Sequence, residues 1–203
     1  MNSVSKNLNS NITYKLFYFL VLVLFLRVDL VFENNTPTGG DMGAHIVAIN
    51  TFIKDFMPNF QINGWSNDWF SGYPLYYFYF PLPAIITFFF NLIFPFGVAF
   101  KIMVVMSMIL VVYSIEKLMR ITPNQISIFG ATAGLFYVFT ESFTIYGGNL
   151  ASTLAGQFSF AYSLAFANLS IFYLIKSNNN FRFPISSTFL ALCLLSHLIP
   201  FII

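Results

Sequence analysis

Tyr76-Tyr77-Phe78-Tyr79-Phe80-Pro81-Leu82-Pro83-Ala84-Ile85-Ile86-Thr87-Phe88-Phe89-Phe90-Asn91-Leu92-Ile93-Phe94 is the stretch on which the fold turns. It is apolar and close to the roughly 20 residues that cross a bilayer as a helix. Yet Pro81 and Pro83 lie inside it, and Pro74 and Pro95 bracket it. Proline removes a backbone donor and clashes with the preceding turn, which disfavours one straight helix here. If the stretch crossed once from a cytoplasmic N-terminus, Lys117, Arg120, Lys176 and Arg182 would face outward, against the positive-inside rule. If it dips in and returns, or lies along the interface, those residues join Lys6 and Lys15 in the cytoplasm. Glu33, Asp41, Asp55 and Asp68 then share the outer side, with Lys54 the only clear cation among them. We therefore read Tyr76–Phe94 as re-entrant or interfacial. It should pack on its neighbours, because non-helical backbone at membrane depth persists only where protein or cavity water satisfies it.

Working outward, the chain of 203 residues is 58% hydrophobic and 8% charged, with a mean hydropathy of +0.76. Soluble domains carry about 25% charged residues, so the composition points to an integral membrane protein. A net charge of +2 gives no argument for a nucleic-acid partner. The lone Cys193 excludes a disulfide framework or a cysteine-rich metal site. The 28 Phe residues suit contact with lipid and mark no aromatic box.

Apolar runs at Tyr14–Phe32, Gly97–Ile115, Ser127–Ile145, Phe158–Ile175 and Pro184–Ile203 approach spanning length. The expectation is an all-α, polytopic transmembrane bundle in one module over residues 1–203. Its large first external loop, from Glu33 to about Phe96, should hold juxtamembrane helices. Arg27-Val28-Asp29 stands where a signal-peptide cleavage site would lie, so the first run reads as an uncleaved anchor; Arg27 and Asp29 should compensate each other. Ser196–Ile203 ends in an apolar run without a polar exit, and we expect the chain to be the N-terminal part of a longer protein. The arrangement is that of a multi-pass protein of the inner (plasma) membrane, with the lipid bilayer as its first partner.

In this arrangement Asp41, Glu141 and Gly147-Gly148-Asn149 share the outer side. Asp41 follows Gly39-Gly40 and opens an expected helix, Met42 to Phe56. It can cap that helix, or serve as a general base, which needs a carboxylate near its substrate's hydroxyl. His45, four residues on, shares its helix face, and the pair could bind a phosphate, a pyrophosphate or a metal ion. Glu141, at the end of a span, is a second candidate acid. Gly147-Gly148-Asn149 makes a tight turn into a helix and could offer amides to an anion; close helix packing through small residues would equally explain it. His197 near the outer end of the last span is a further candidate for the same site. Trp65, Trp69, Tyr73, Tyr76, Tyr77 and Tyr79 fit a membrane-interface belt and could also stack on sugar rings.

Three segments carry a family resemblance. They are Pro37-Thr38-Gly39-Gly40-Asp41-Met42-Gly43-Ala44-His45, Gly64-Trp65-Ser66-Asn67-Asp68-Trp69-Phe70-Ser71-Gly72-Tyr73-Pro74 and Phe78-Tyr79-Phe80-Pro81-Leu82-Pro83. Pro95–Lys101 and Tyr146–Gly156 extend it. The chain resembles bacterial membrane proteins labelled "6-pyruvoyl-tetrahydropterin synthase-related", although the zinc-binding histidine set of the soluble pterin enzyme is absent. The architecture is similar to GT-C glycosyltransferases, which take sugars from polyprenyl-phosphate donors. That resemblance implies an acid in the first external loop acting as base or metal-site residue, which Asp41 matches. It also implies a second acid after the third span, which Glu141 matches loosely, and a divalent metal becomes a possible cofactor.

The expected function is transfer of a sugar from a polyprenyl-phosphate-linked donor to an acceptor outside the cytoplasm, with Asp41 catalytic. His45, Glu141, Gly147, Gly148, Asn149 and His197 are the expected substrate-binding residues. A transporter or lipid flippase using Asp41, His45 and Glu141, or a non-catalytic membrane scaffold, are the alternatives.

Overall fold

Phe96–Met119 is an uninterrupted helix of 24 residues, and the rest of the structure is arranged around it. The computed structural model describes residues 14, 16–121, 127–141, 147–176 and 182–202; for 127 and 182 the backbone alone is described. These residues are mostly helical. In chain order the helices are α1 (Leu16–Phe25), α2 (Val28–Val31), α3 (Met42–Thr51), α4 (Leu82–Asn91), α5 (Phe96–Met119), α6 (Ser127–Val138), α7 (Leu150–Ser152), α8 (Phe158–Ile175), α9 (Arg182–Ser196) and α10 (Leu198–Ile202). The strands β1 (Gly64–Ser66) and β2 (Tyr73–Leu75) form an antiparallel hairpin between α3 and α4.

Among the described residues, two helices are long and apolar enough to cross a membrane: α5, and the run Leu150–Ile175 that joins α7 to α8. They coincide with the spans expected at Gly97–Ile115 and Phe158–Ile175. In the other three expected spans the described helices are shorter: Leu16–Phe25, Ile128–Val138 and Phe183–Ser196. Lys6, Lys15, the 122–126 and 177–181 parts of the expected cytoplasmic loops, residues 142–146 and Ile203 lie outside the described residues. Within the stretch read as re-entrant or interfacial, α4 covers ten residues and packs along α5. That is about 15 Å of helix, half a hydrocarbon core.

α5 packs against α6 and α8, and α8 against α9. Lipid tails are as apolar as leucine, so helices in a membrane associate by close van der Waals fit and interhelical hydrogen bonds. Both devices are present. Gly130 and Gly134, one turn apart on α6, let its backbone approach α5 until a Cβ at either would sit 2.9 Å from the Cα of Glu116 or of Val112. Tyr162, fully buried on α8, donates to the Met103 carbonyl at 2.7 Å. Ser170 and Ser186 each donate to the other's carbonyl, at 3.0 and 2.9 Å, stitching α8 to α9.

Arg27 has φ 46 and breaks the first segment into α1 and α2. Its guanidinium meets Asp29 through three bonds, Nε to Oδ1 at 3.0 Å and to Oδ2 at 3.3 Å, and Nη2 to Oδ2 at 2.8 Å, so the pair compensates as its spacing implies. Beyond α2, Lys101 of α5 holds the chain. Its ammonium donates to the Leu30 and Glu33 carbonyls, both at 2.6 Å, and to Asn35 Oδ1 at 2.8 Å.

Replacing Gly134 by valine forces α6 off α5. Overpacking a close contact costs about 1–3 kcal/mol, so Gly134→Val should lower the thermal midpoint of the detergent-purified protein, whereas Phe136→Val, at a side chain 73% exposed, should not.

Candidate active site at the head of the third helix

Met42, His45, Ile49, Phe52 and Phe56 form one buried row, spaced by three and four residues as one helical face requires. The expected helix from Met42 to Phe56 is present, but its last turn, Phe52–Phe56, is π-helical. That row seats α3 on Phe158 of α8 and Phe100 of α5, themselves in edge-to-face contact at 5.7 Å. His45 thereby points inward, against Phe158 at 4.8 Å and Tyr79 at 5.6 Å between ring centroids. Asp41 sits one turn above it.

The loop before α3 is fixed by backbone contacts. The Asp41 N–H donates to the Ala155 carbonyl at 2.8 Å. Gly40, at φ 48, lies so close to Ala155 that no Cβ would fit, and a Cβ on Gly156 would stand 3.0 Å from that of Asp41. Gly156 takes φ 112 in the π-helical turn Thr153–Gln157, a region that favours glycine. The Gly156 backbone also favours the protonated His45 ring. Asp41 occupies the N-cap position of α3, yet its side chain makes no capping bond. Its carboxylate is exposed and free to meet a ligand.

The opposite wall is the β1–β2 hairpin. Thr51 Oγ1 and Ser66 Oγ both donate to Asp68 Oδ2, at 2.6 and 2.8 Å, tying the hairpin to the end of α3. These bonds, Thr51's first, hold the Asp68 carboxyl below the usual carboxylate range. Tyr76, nearly buried, meets Phe52 edge-on at 5.4 Å. Trp69, Phe70 and Tyr76 take φ of 62, 57 and 60. Such values are uncommon for bulky residues; of the three, only Tyr76 is held by buried packing.

Between hairpin and helix lies a cavity of about 620 Å³, walled by Asp41, His45, Trp69, Tyr73, Tyr76 and Tyr79 among others. Small-molecule sites span about 300–1,000 Å³. Burial, and then the Asp41 charge, push the Tyr79 phenol above its ordinary value. Tyr79 therefore stays protonated beside the carboxylate, as a hydrogen-bond donor. Burial lowers the His45 imidazole, and the Asp41 charge and the Gly156 backbone offset part of that. His45 is neutral at pH 7 and can accept or relay one proton.

The other expected site residues stand elsewhere. Glu141 is exposed at the end of α6 and does not line this cavity. In the turn Gly147-Gly148-Asn149, the Gly147 amide and the Asn149 side chain bond locally. The Gly147 N–H donates to Ser152 Oγ at 3.1 Å, Asn149 Oδ1 caps α7 by accepting from the Ser152 N–H at 2.8 Å, and Asn149 Nδ2 donates to the Thr140 carbonyl at 2.9 Å. Its partner across from Asp41 is instead the Ala155–Gly156 peptide, a few residues on. His197 is one aromatic ring removed from the cavity: it lies against Phe80 at 5.0 Å and Phe160 at 5.6 Å, and its Nδ1 accepts from the Ile199 N–H at 3.2 Å. Trp69, Tyr73 and Tyr79 were readable as an interface belt; their role as a cavity wall rests on the hairpin, which the proline-rich sequence around them conceals.

Among the described residues no group of three or more His, Cys, Asp or Glu side chains could hold a metal ion. A cation at Asp41 and His45 would draw its remaining ligands from water or from substrate phosphate, as magnesium commonly does. No known protein family, curated protein or solved structure matches the chain.

His45 carries a pH signature. Its folded-state value lies below the unfolded one, so the stability it contributes is present above about pH 6.5 and is lost as pH falls toward the folded value. The thermal midpoint should drop between pH 7.5 and 5 in the wild type, and His45→Phe should show a shallower drop. Equal slopes would mean that His45 is not held neutral.

Proposed function

We propose that this protein is a membrane glycosyltransferase of GT-C-like architecture, akin to the "6-pyruvoyl-tetrahydropterin synthase-related" membrane proteins. In this reading five spans cross the inner membrane, with the Asp41 cavity on the outer side. A polyprenyl-phosphate-linked sugar is the donor, and an extracytoplasmic hydroxyl compound is the acceptor.

One observation carries the reading: Asp41, at the head of α3, holds a carboxylate that makes no cap and lines an aromatic-walled cavity. A carboxylate kept out of its capping role and faced by aromatic rings suits a base acting on a sugar substrate. Rings of the Trp69 and Tyr73 kind cover the apolar faces of pyranoses, while a few polar groups fix orientation.

The chemistry follows from those groups. Asp41 takes the proton from the acceptor hydroxyl. The acceptor oxygen attacks the anomeric carbon from the face opposite the leaving group and forms the new glycosidic bond. The bond from that carbon to the phosphate oxygen breaks with its electron pair, and polyprenyl phosphate departs with inversion at the anomeric centre. Tyr79 and neutral His45 line the same cavity and hydrogen-bond the substrate. A divalent cation, if used, would bind Asp41, His45 and the donor phosphate.

Asp41→Asn keeps the shape and removes the base. General-base catalysis contributes roughly 10²–10⁴-fold, so transfer from a polyprenyl-phosphate sugar in reconstituted membranes should fall by that factor. The thermal midpoint should stay unchanged, because no capping bond is lost. Near-normal transfer by Asp41→Asn would remove Asp41 from the mechanism. Lipid binding without transfer by the wild type would favour a flippase or scaffold.

A further inference from the structure

A second cavity, of about 400 Å³, lies behind the first. Its walls are Phe25, Leu30 and Val31 from α1–α2, Val104, Val105 and Met108 from α5, and Leu150 and Leu154 from the α7 turn. It lies beside the break at Arg27, where a left-handed φ separates α1 from α2. The rim alone is polar, with Arg27, Glu33, Asn35 and Lys101. From Lys101 to Met108 the space descends seven residues of α5, or about 10 Å.

We propose that this cavity holds one acyl chain of a zwitterionic glycerophospholipid, with the headgroup at the Arg27–Lys101 rim. Three observations support that occupant. The cavity is apolar below and charged at one end, which is the pattern of an amphiphile. Its side walls continue into exposed apolar surface: Leu24, Phe25 and Leu154 are 71%, 66% and 49% exposed, on a chain with two helices fit to cross a bilayer. The rim carries both signs: Arg27 is paired with Asp29, the Glu33 carboxylate accepts from the neutral Asn35 amide, and the Lys101 ammonium is engaged by two carbonyls and an amide oxygen. Such a rim offers no concentrated positive charge to an anionic head, and both signs to a zwitterionic one.

The lipid is a structural ligand of the Asp41 loop. Met42 and Leu154 wall this cavity, while their neighbours Asp41 and Ala155 make the backbone bond that positions the first. A chain filling the space presses the two segments together from behind. The proposal stands independently of the sugar-transfer reading, since it concerns binding and not turnover.

The test uses the full chain in nanodiscs of phosphatidylcholine carrying a trace of phosphatidylcholine with a diazirine on one acyl chain. After photolysis, labelled residues are mapped by mass spectrometry. Label should concentrate on residues 25–31, 104–108 and 150–154. Leu154→Trp and, separately, Val105→Phe fill the cavity from its exposed wall. Each should lower that label by about tenfold, as expected when a few methylenes are displaced from an apolar site, while label on exposed Phe17 and Leu20 stays constant. Anionic phosphatidylglycerol carrying the same diazirine chain should label the cavity less. Even labelling of all lipid-facing helices, indifference to both fillings, stronger labelling by the anionic lipid, or cross-links to a second copy of the chain would each overturn the proposal.

Discussion

The bond from the Asp41 N–H to the Ala155 carbonyl joins the two loops from which the site is made. Around it two glycines leave out a Cβ that would crowd the contact: Gly40 on one side and Gly156 on the other. Because those backbones touch, the head of α3 is fixed over the start of α8, His45 reaches the Gly156 backbone and Phe158, and the Asp41 carboxylate is turned toward the hairpin instead of back onto its own helix. Without that contact α3 would be a surface helix with an acidic cap. With it, the same residues become one wall of a cavity.

The two cavities share this contact as a partition. On one face stand Asp41 and His45 with aromatic rings opposite; on the other stand Met42 and Leu154 with aliphatic walls. The ties that hold the partition come from different elements: Lys101 of α5 grips the chain between α2 and α3, Asp68 of the hairpin grips the end of α3, and Asn149 caps the short α7 that leads into Ala155. Several polar groups, of which Asn149 is buried, thus serve one loop junction. That concentration is costly in a mostly apolar chain, since each such group must find partners when removed from water.

Much of this was legible in the sequence, for local reasons. Apolar runs report helices directly, and α5 and α8 lie where such runs were read. The spacing of four between Asp41 and His45 places them on one face in any helix, and the prolines of 74–95 rule out a long helix there whatever it packs against. The rest depends on distant partners. Whether Asp41 caps its helix is decided by Ala155, more than a hundred residues away. The aromatic cluster reads as an interface belt that could also stack on sugar rings, and the bonds of Asp68 to Thr51 and Ser66 place the hairpin carrying part of it against α3. Gly147 and Gly148 suggest an anion site because a glycine turn at a helix start presents amides; the structure adds that the Gly147 amide donates to Ser152. Lys101, a cation within an apolar run, was the overlooked mark of a structural site, as ionisable groups in such runs commonly are.

Amide exchange at Asp41 tests the central contact most directly. In the protein labelled with ¹⁵N-aspartate, the Asp41 amide should exchange slowly with deuterium, as expected for a donor held in a stable tertiary bond. Gly156→Ala, which places a methyl group against Asp41, should release that protection while leaving the amide of Asp29 unchanged. An Asp41 amide that exchanges in the wild type as fast as one in an open loop would show that the two segments are not joined, and the site described here would not exist.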